Sequence, residues 1–258
     1  KTPSKLLELN TPITNISSSN IKDTLTADAI HLAASKQVTY NQMMNMYLNP
    51  NLEIVLPTIE IIGEDTKGDD IDNLKNTDPK TDYKLTGLAV FKENKILTTL
   101  KEKESILYNI ITNNINNTIL KYECEKDKYI TNKISEISTS TEIEPKTNKL
   151  KLKIKGTATI SEVHCNYDLT NPKTIKEIEK NINKQITKDT TNIIKKFQNL
   201  NTDIFGFKDI YYKNNYKEFQ NIKNNYDETF KNMQLEIKSN IKIIAKGNIE
   251  GDIYEMEN

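Results

Sequence analysis

His164 and Cys165 are the only adjacent histidine and cysteine in the sequence, so they are the first candidates for metal binding or nucleophilic catalysis. A tetrahedral zinc site takes four ligands, and the other histidine and cysteine, His31 and Cys124, are far away in sequence. A Cys–His catalytic pair needs both side chains in one cleft, whereas neighbours on a strand point to opposite faces. We therefore interpret Cys165 as a buried thiol and His164 as an exposed imidazole. Cys124 is interpreted as an apolar strand residue.

A second candidate is the stretch 63–82, which is rich in carboxylates and nearly free of apolar side chains. Its first acidic residues are Glu64, Asp65, Asp69, Asp70 and Asp72. Calcium binds such carboxylates on flexible loops, but the spacing of an EF-hand is absent, and we favour a solvated loop. The sequence also lacks a Gly-rich phosphate loop, a nucleophile elbow and a paired zinc-ligand motif. We predict no enzymatic activity, no metal site and no cofactor.

Aromatic side chains interleave with lysines between residues 211 and 226, a pattern that could stack on nucleic-acid bases. The aromatic residues are Tyr211, Tyr212, Tyr216, Phe219 and Tyr226, and the lysines include Lys213, Lys217 and Lys223. However, Tyr212, Tyr216 and Phe219 follow a helical spacing, which favours a core stripe. The chain has no arginine, and its 36 lysines are balanced by 36 acidic residues. We therefore predict no nucleic-acid partner.

The length of 258 residues allows one large or two ordinary domains, each with a sizeable core. No stretch approaches the roughly 18–20 apolar residues of a membrane span. Two cysteines are too few for the disulfide framework of a small secreted domain. The sequence begins Lys1-Thr2-Pro3-Ser4, without Met or a signal peptide, which predicts that it is cut from a longer protein.

The first half is predicted to form a smaller α+β domain, residues 1–100. Its first 25 residues are polar and predicted to be loosely ordered, and two short helices follow, one at 26–35 and one after the N-cap Thr39. The second helix is predicted to face inward with Met43, Met44, Tyr47 and Leu48. A strand at 52–62 contains Pro57, which predicts an edge or a bulge, and a hairpin is predicted at 83–99.

The second half is predicted to form a carboxyl-terminal α+β domain, residues 101–258. A short helix at 100–112 precedes three strands at 118–124, 128–143 and 149–161, and a closing strand follows at 233–244. In the third strand Leu150, Leu152 and Ile154 alternate with lysines, as in an antiparallel sheet that is covered on one face only.

A long amphipathic helix at 173–200 is predicted to cover this sheet. Isoleucines recur every three or four residues along it, and Ile182 lies in this apolar stripe while the neighbouring Asn183 is predicted to face water. Asn171-Pro172 offers an N-cap with Pro at the first helical position. A capping box from Thr174 to Glu177 is the alternative start. The helix would be about 40 Å long.

Two short runs follow the helix, Asp203-Ile204-Phe205-Gly206-Phe207 and Tyr226-Asp227-Glu228-Thr229-Phe230. Their order resembles the Ger(x)C family, the C subunit of spore nutrient-germinant receptors. That family usually has Gly after the first run and Trp at the start of the second, where this chain has Lys208 and Tyr226. The resemblance covers nearly the whole chain and includes the stretch Gly87-Leu88-Ala89-Val90-Phe91.

The resemblance implies a non-enzymatic, lipid-anchored protein on the outer face of the inner spore membrane, required for nutrient-triggered germination. It implies membrane-embedded A and B subunits as partners. It also implies that the signal peptide, the lipidated cysteine and an amino-terminal domain would precede Lys1. The competing hypothesis is a free-standing cell-surface binding protein for a small molecule or a wall polymer. The germinant, the ligand-binding residues and the surfaces that contact other subunits stay open.

The family-motif residues are predicted to be structural. Asp203 can cap the turn after the long helix, while Phe205 and Phe207 can fill the space between that helix and the sheet. Gly206 would allow close approach or a positive φ. The full set is Gly87, Phe91, Asp203, Phe205, Gly206, Phe207, Asp227 and Phe230.

Overall fold

The computed structural model describes residues 3–10, 17–64, 68–75 and 79–245. Contacts divide the chain into two compact units. The first comprises Lys1–Asn45 and Ile54–Ile106, and the second comprises Met46–Glu53 and Leu107–Asn258. Both contain helices and a sheet, which confirms the predicted α+β class. The predicted domain boundary at residue 100 concerns independent folding and stays a prediction.

The first unit is built on a three-stranded antiparallel sheet in the order β1-β2-β3. Its strands are β1 (Val55–Gly63), β2 (Thr81–Lys92) and β3 (Lys95–Leu100), which confirms the predicted strand and hairpin. Glu93 and Asn94 connect β2 to β3 with φ of 50° and 63°, the left-handed values that a tight hairpin turn requires. The edge strand β1 has a register shift after Thr58, which agrees with the edge or bulge predicted from Pro57.

Gly87 lies in β2 at a point where the backbone leaves no room for a side chain. Its φ is 118°, and a Cβ there would overlap the carbonyl oxygen of Leu100 on β3. Phe91 is half-buried, and its backbone N–H donates to the Ile54 carbonyl at 2.9 Å. Both family-motif residues of this stretch therefore take part in the backbone packing of the first sheet.

The helices near the amino terminus start earlier than the sequence predicts. α1 spans Pro3–Leu7 and α2 spans Ser17–His31, so the prediction of a loosely ordered stretch followed by a helix at 26–35 is wrong. Ser and Asn residues occupy the first turn of α2 and give it no apolar stripe that periodicity could detect. A single further turn, α4 (Asp72–Lys75), lies in the acidic stretch, whose Asp65 is outside the described residues.

α3 spans Tyr40–Leu48 and begins after Thr39, as predicted. The Thr39 hydroxyl accepts a hydrogen bond from the Gln42 N–H at 3.3 Å, while Gln42 Oε1 accepts one from the Thr39 N–H at 2.8 Å. These two bonds form a capping box. The prediction that Tyr47 and Leu48 face inward is wrong, since they are 56% and 69% exposed and the helix has no buried residue.

The second unit contains a four-stranded sheet in the order β4-β5-β6-β7. β4 (Asn117–Glu125), β5 (Lys128–Glu144) and β6 (Lys149–Val163) are antiparallel neighbours and confirm the three predicted strands. β7 (Gln234–Ala245) confirms the closing strand but runs parallel to β6, so the sheet is mixed and not antiparallel. Its direction is possible because several helices separate β6 from β7 and provide a crossover connection.

Two helices pack their apolar residues as the sequence predicts. α5 spans Glu102–Ile111 and buries Ile106, Leu107, Ile110 and Ile111. α6 spans Pro172–Asn199 and buries Ile178, Ile182, Ile186, Thr190, Ile193 and Phe197. Asn171 caps α6, because its Oδ1 accepts from the Lys173 N–H at 2.9 Å, so the alternative start at Thr174 is wrong.

Within residues 3–10, 17–64, 68–75 and 79–245, no helix has both the length and the apolar character needed to cross a membrane.

Asn183 on α6 bonds to the backbone of β7, and the prediction that it faces water is wrong. Its Nδ2 donates to the Ile241 carbonyl at 2.9 Å, and its Oδ1 accepts from the Ile241 N–H at 2.7 Å. The Ser239 hydroxyl donates to the same Oδ1 at 2.7 Å. One turn earlier, Glu179 Oε2 accepts from the Ile243 N–H at 3.1 Å. The polar flank of α6 is therefore joined to the strand beside it.

We expect Asn183→Ala to lower the free energy of unfolding by about 1–3 kcal/mol, because it leaves part-buried backbone groups of β7 without partners. Ile182→Ala should lower it by roughly 2–5 kcal/mol, because Ile182 is buried in the core. Lys184→Ala, at an exposed position, is the control and should change it by less than about 0.5 kcal/mol. Denaturant unfolding measures all three, and equal losses at Asn183 and Lys184 would contradict the contact with β7.

Cys124 and Cys165 form a disulfide, with their Cα atoms 6.4 Å apart, so the interpretation of both as separate apolar thiols is wrong. Cys124 lies near the end of β4, and Cys165 follows the end of β6. Both strand ends flank the start of β5, where Tyr129 pairs with Glu123 of β4 and accepts a hydrogen bond from the His164 N–H. This shared neighbour brings the two cysteines together. His164 is exposed, as predicted, and pairs with Glu162 at 2.9 Å.

Candidate functional site

The first family run forms a turn that is organised by the buried carboxylate of Asp203. Its Oδ1 accepts from the Phe205 N–H at 3.1 Å. Its Oδ2 accepts from the Lys208 N–H at 2.6 Å and from the Tyr226 hydroxyl at 2.9 Å. Asp203 thus joins the turn, the first residues of the next helix and the second family run through three donors of the chain itself.

Burial raises the pKa of Asp203 above its ordinary value, although the hydrogen bonds from Lys208, Tyr226, Phe207 and Phe205 act in the opposite direction. Burial also raises the pKa of Tyr226, and the negative charge of Asp203 raises it further. The Tyr226 hydroxyl therefore keeps its proton and serves as a hydrogen-bond donor to the carboxylate.

Aromatic rings connect the two runs to the long helix. Phe205 packs edge-on against Phe197 of α6 at 5.8 Å between ring centroids and lies 5.3 Å from Phe207. Phe207 lies 6.2 Å from Phe230, whose ring stacks in parallel on Tyr226 at 6.2 Å. All five rings are buried. The structure thus brings four family-motif residues, Asp203, Phe205, Phe207 and Phe230, into one cluster.

Short helices carry the remaining residues of the site: α7 (Phe207–Asn214), α8 (Tyr216–Ile222), a 3-10 turn (Lys223–Asn225) and α9 (Tyr226–Lys231). Gly206 precedes α7 with a φ of 77°, a left-handed value that favours glycine. A Cβ on Gly206 would also lie 3.2 Å from Leu52 Cδ2. Asp227 is exposed in the first turn of α9, and Gly87 and Phe91 lie in the sheet of the first unit.

The segment Met46–Glu53 belongs to the second unit because it packs on α7. The Lys208 ammonium donates to the Pro50 carbonyl at 3.1 Å, and Asn49 Nδ2 donates to Asp209 Oδ1 at 3.1 Å. Lys208 Nζ also lies 5.7 Å from the centroid of the Tyr226 ring, a cation–π geometry. The two positions where this chain departs from the usual family pattern, Lys208 and Tyr226, are therefore in contact with each other.

An open groove of about 570 Å³ lies over this segment, α7, α8 and the 3-10 turn. Tyr212 and Tyr216 line it and are 39% and 54% exposed, whereas Phe219 beneath them is buried. The prediction of a core stripe is therefore right only for Phe219. Tyr212 lies on α7, whereas Tyr216 and Phe219 lie on α8, so the regular spacing predicted one helix where the structure has two. The spacing also could not show that the two tyrosines reach solvent.

Metal binding finds no support in this geometry. Within the described parts of the chain, no group of three or more His, Cys, Asp or Glu residues could hold a metal ion. The two histidines and the disulfide-bonded cysteines do not form a ligand set.

Comparison with known proteins gives related sequences and one related fold. The chain is 24% identical over 248 residues to "Spore germination protein KC" of Bacillus subtilis (strain 168), covering 94% of this chain and 61% of that protein. It is 23% identical to "Spore germination protein GerQC" of Bacillus cereus, covering 63% of this chain and 46% of the relative. The chain thus spans only about half to three-fifths of these relatives.

The crystal structure of the GerBC protein is similar in fold, with a TM-score of 0.57 and 18% sequence identity over 75% of this chain and 57% of that one. The sequence model described as "Spore germination B3/ GerAC like, C-terminal" matches residues 86–247, which include both family runs. This match covers more than half of the chain and confirms the resemblance seen in the sequence. The chain therefore belongs to the spore germination B3/GerAC-like, C-terminal family.

Proposed function

We propose that this chain is the greater part of a C subunit of a spore nutrient-germinant receptor and that it has no enzymatic activity of its own. The observation that carries the proposal is the family match across residues 86–247. Two relatives that bear the name of spore germination proteins support it. The intact receptor is required for nutrient-triggered germination, and this subunit contributes binding surface rather than chemistry.

The partners in this proposal are the membrane-embedded A and B subunits of the same receptor. A lipid anchor, attached outside these 258 residues, would hold the subunit on the outer face of the inner spore membrane. The Cys124–Cys165 disulfide supports a location outside the cytoplasm, because disulfides persist in oxidising compartments and are rare in the cytosol. The zero formal net charge gives the chain no general attraction to nucleic acid.

The family-motif residues have a structural role in this proposal. Both carboxylate oxygens of Asp203 accept hydrogen bonds from groups of the same chain, and Phe205 and Phe207 are buried in the core. A ligand could reach these atoms only after the turn opened. The motif therefore holds α7–α9 against α6 and fixes the surface that these helices present.

Photo-crosslinking in spores tests this proposal. A photoreactive amino acid is placed at exposed positions, one per variant, including Tyr40, Lys153 and Tyr216. We expect at least one position to capture both the A and the B subunit of one receptor and no subunit of another receptor. Capture of neither subunit at any tested position, in spores that germinate normally, would contradict the proposal and favour a free-standing binding protein.

A further inference from the structure

The groove over α7 and α8 brings aromatic, amide and cationic side chains together on one open surface. Its lining combines the rings of Tyr212 and Tyr216, the side-chain amides of Asn51, Gln220 and Asn224, and the ammonium of Lys223. Among the residues that the structure describes, the lining includes no carboxylate. The groove is therefore locally positive and rich in hydrogen-bonding groups.

Several of these polar groups are unused within the protein. Among the described residues, the side chains of Gln220, Lys223 and Asn224 have no hydrogen-bond or ion-pair partner. Asp209, the nearest acidic group of α7, is paired with Lys213 at 2.6 Å and bonded to Asn49. Its negative charge is therefore balanced by the Lys213 ammonium. The free amides and the free lysine can turn toward a ligand without breaking any contact of the fold.

The tyrosines provide a rigid apolar floor for such a ligand. The Tyr212 ring contacts both Tyr216 and the buried Phe219 edge-on, at 5.4 and 5.5 Å between ring centroids. Lys208 is fixed at the rim by its hydrogen bond to Pro50. Asp203 and Tyr226 fix the start of α7 from below. Tyrosines that are held in this way bind with little loss of conformational entropy.

We propose that this groove binds an anionic glycan made of acetamido sugars that carry carboxylates, the chemistry of bacterial wall glycan strands. Sugar-ring faces would lie on Tyr212 and Tyr216. Side-chain amides of Gln220 and Asn224 pair with hydroxyl and acetamido groups, because each amide offers both a donor and an acceptor. Lys223 pairs with a carboxylate.

The geometry favours this ligand over two others. A small molecule would need an enclosed pocket that covers most of its surface, whereas this groove is open to solvent. Single-stranded nucleic acid would need a track of cationic groups along the backbone, and two lysines without arginine do not supply one. A polymer that carries hydroxyl, acetamido and carboxylate groups fits the open groove, its amide-rich lining and its two lysines.

The test measures binding of the purified full chain to soluble wall glycan strands from which the peptides have been removed. Neutral chitooligosaccharide and an oligothymidylate of similar length serve as comparison probes. We expect the wild-type chain to bind the glycan strands, to bind chitooligosaccharide more weakly because it lacks carboxylates, and to lose affinity as salt is raised. Because binding is measured on the chain itself, the result is independent of receptor assembly.

Variants then assign the binding to the groove. The double variant Tyr212→Ala/Tyr216→Ala should weaken binding at least about tenfold, the change expected when aromatic contacts at the centre of a site are lost. Gln220→Ala and Lys223→Gln should weaken it about threefold to tenfold each without changing the melting temperature. The matched controls are Lys217→Gln, on the same helix α8, and Tyr40→Ala, an exposed tyrosine on α3, and both should bind like the wild type.

Three outcomes would overturn the proposal. The first is a wild-type chain that does not bind the glycan strands. The second is an equal loss of binding in the control variants and in the groove variants. The third is tighter binding to oligothymidylate than to glycan, which would make the groove a nucleic-acid surface.

Discussion

Reduction of the Cys124–Cys165 disulfide should lower the free energy of unfolding by about 4 kcal/mol. The two cysteines are 41 residues apart, and an intact bond between them removes the entropy that the unfolded chain would gain from this loop. Removing native disulfides from small domains has effects of this size. Chemical denaturation of the chain with and without a reducing agent measures the difference.

The double variant Cys124→Ser/Cys165→Ser provides the control. It should unfold with a stability close to that of the reduced wild type, and a reducing agent should not change it further. A wild-type chain whose unfolding is unaffected by the reducing agent, with both thiols shown to be free, would contradict this effect. It would also remove the support that the disulfide gives to an extracytoplasmic location.

Asp203→Ala should lower the free energy of unfolding by roughly 3–5 kcal/mol. The change leaves the Phe205 and Lys208 amides and the Tyr226 hydroxyl without their acceptor, and each orphaned buried donor costs about 1–3 kcal/mol. The sequence alone predicts only an N-cap effect of about 0.5–2 kcal/mol. Phe205→Ala should lower the free energy of unfolding by about 3–5 kcal/mol, because its ring is buried between Phe197 and Phe207.

Asp227→Ala is the matched control, since Asp227 is a family-motif aspartate that is exposed on the surface of α9. Its free energy of unfolding should fall by less than about 1 kcal/mol. Tyr226→Phe removes one donor to Asp203 and should cost about 1–2 kcal/mol. If Asp203→Ala and Phe205→Ala instead melt like the wild type but fail to co-purify with the membrane subunits, the motif contacts a partner and its proposed structural role is wrong.

Strong periodicity predicted most of the fold. The isoleucine stripe of α6 and the alternating lysines of β6 each favour a local conformation, and the structure contains both elements where expected. The direction of β7 was not predictable in this way, because an alternating pattern is the same in a parallel and an antiparallel strand. The amino-terminal part of α2, before residue 26, was missed because its polar residues show no periodic apolar face.

The disulfide and the groove were missed for a different reason. The sequence places Cys124 at the end of the predicted strand 118–124 and Cys165 shortly after the predicted strand 149–161. Their pairing could be predicted only by knowing that both strands flank β5. Likewise, the spacing of Tyr212 and Tyr216 predicts a common helix face. Whether that face meets the core or solvent depends on how α7 and α8 pack, and spacing does not determine this.

The bonds from α6 to β7 have a consequence for how this protein can associate. β7 is an outer strand of its sheet, and the backbone groups of such a strand can recruit a strand from another chain. At Ile241 and Ile243 these groups are already bonded to Asn183 and Glu179 of the same molecule. Strand addition along this stretch would first have to displace two helix side chains. A contact with another chain at this stretch of β7 would therefore form through side chains and not by extending the sheet.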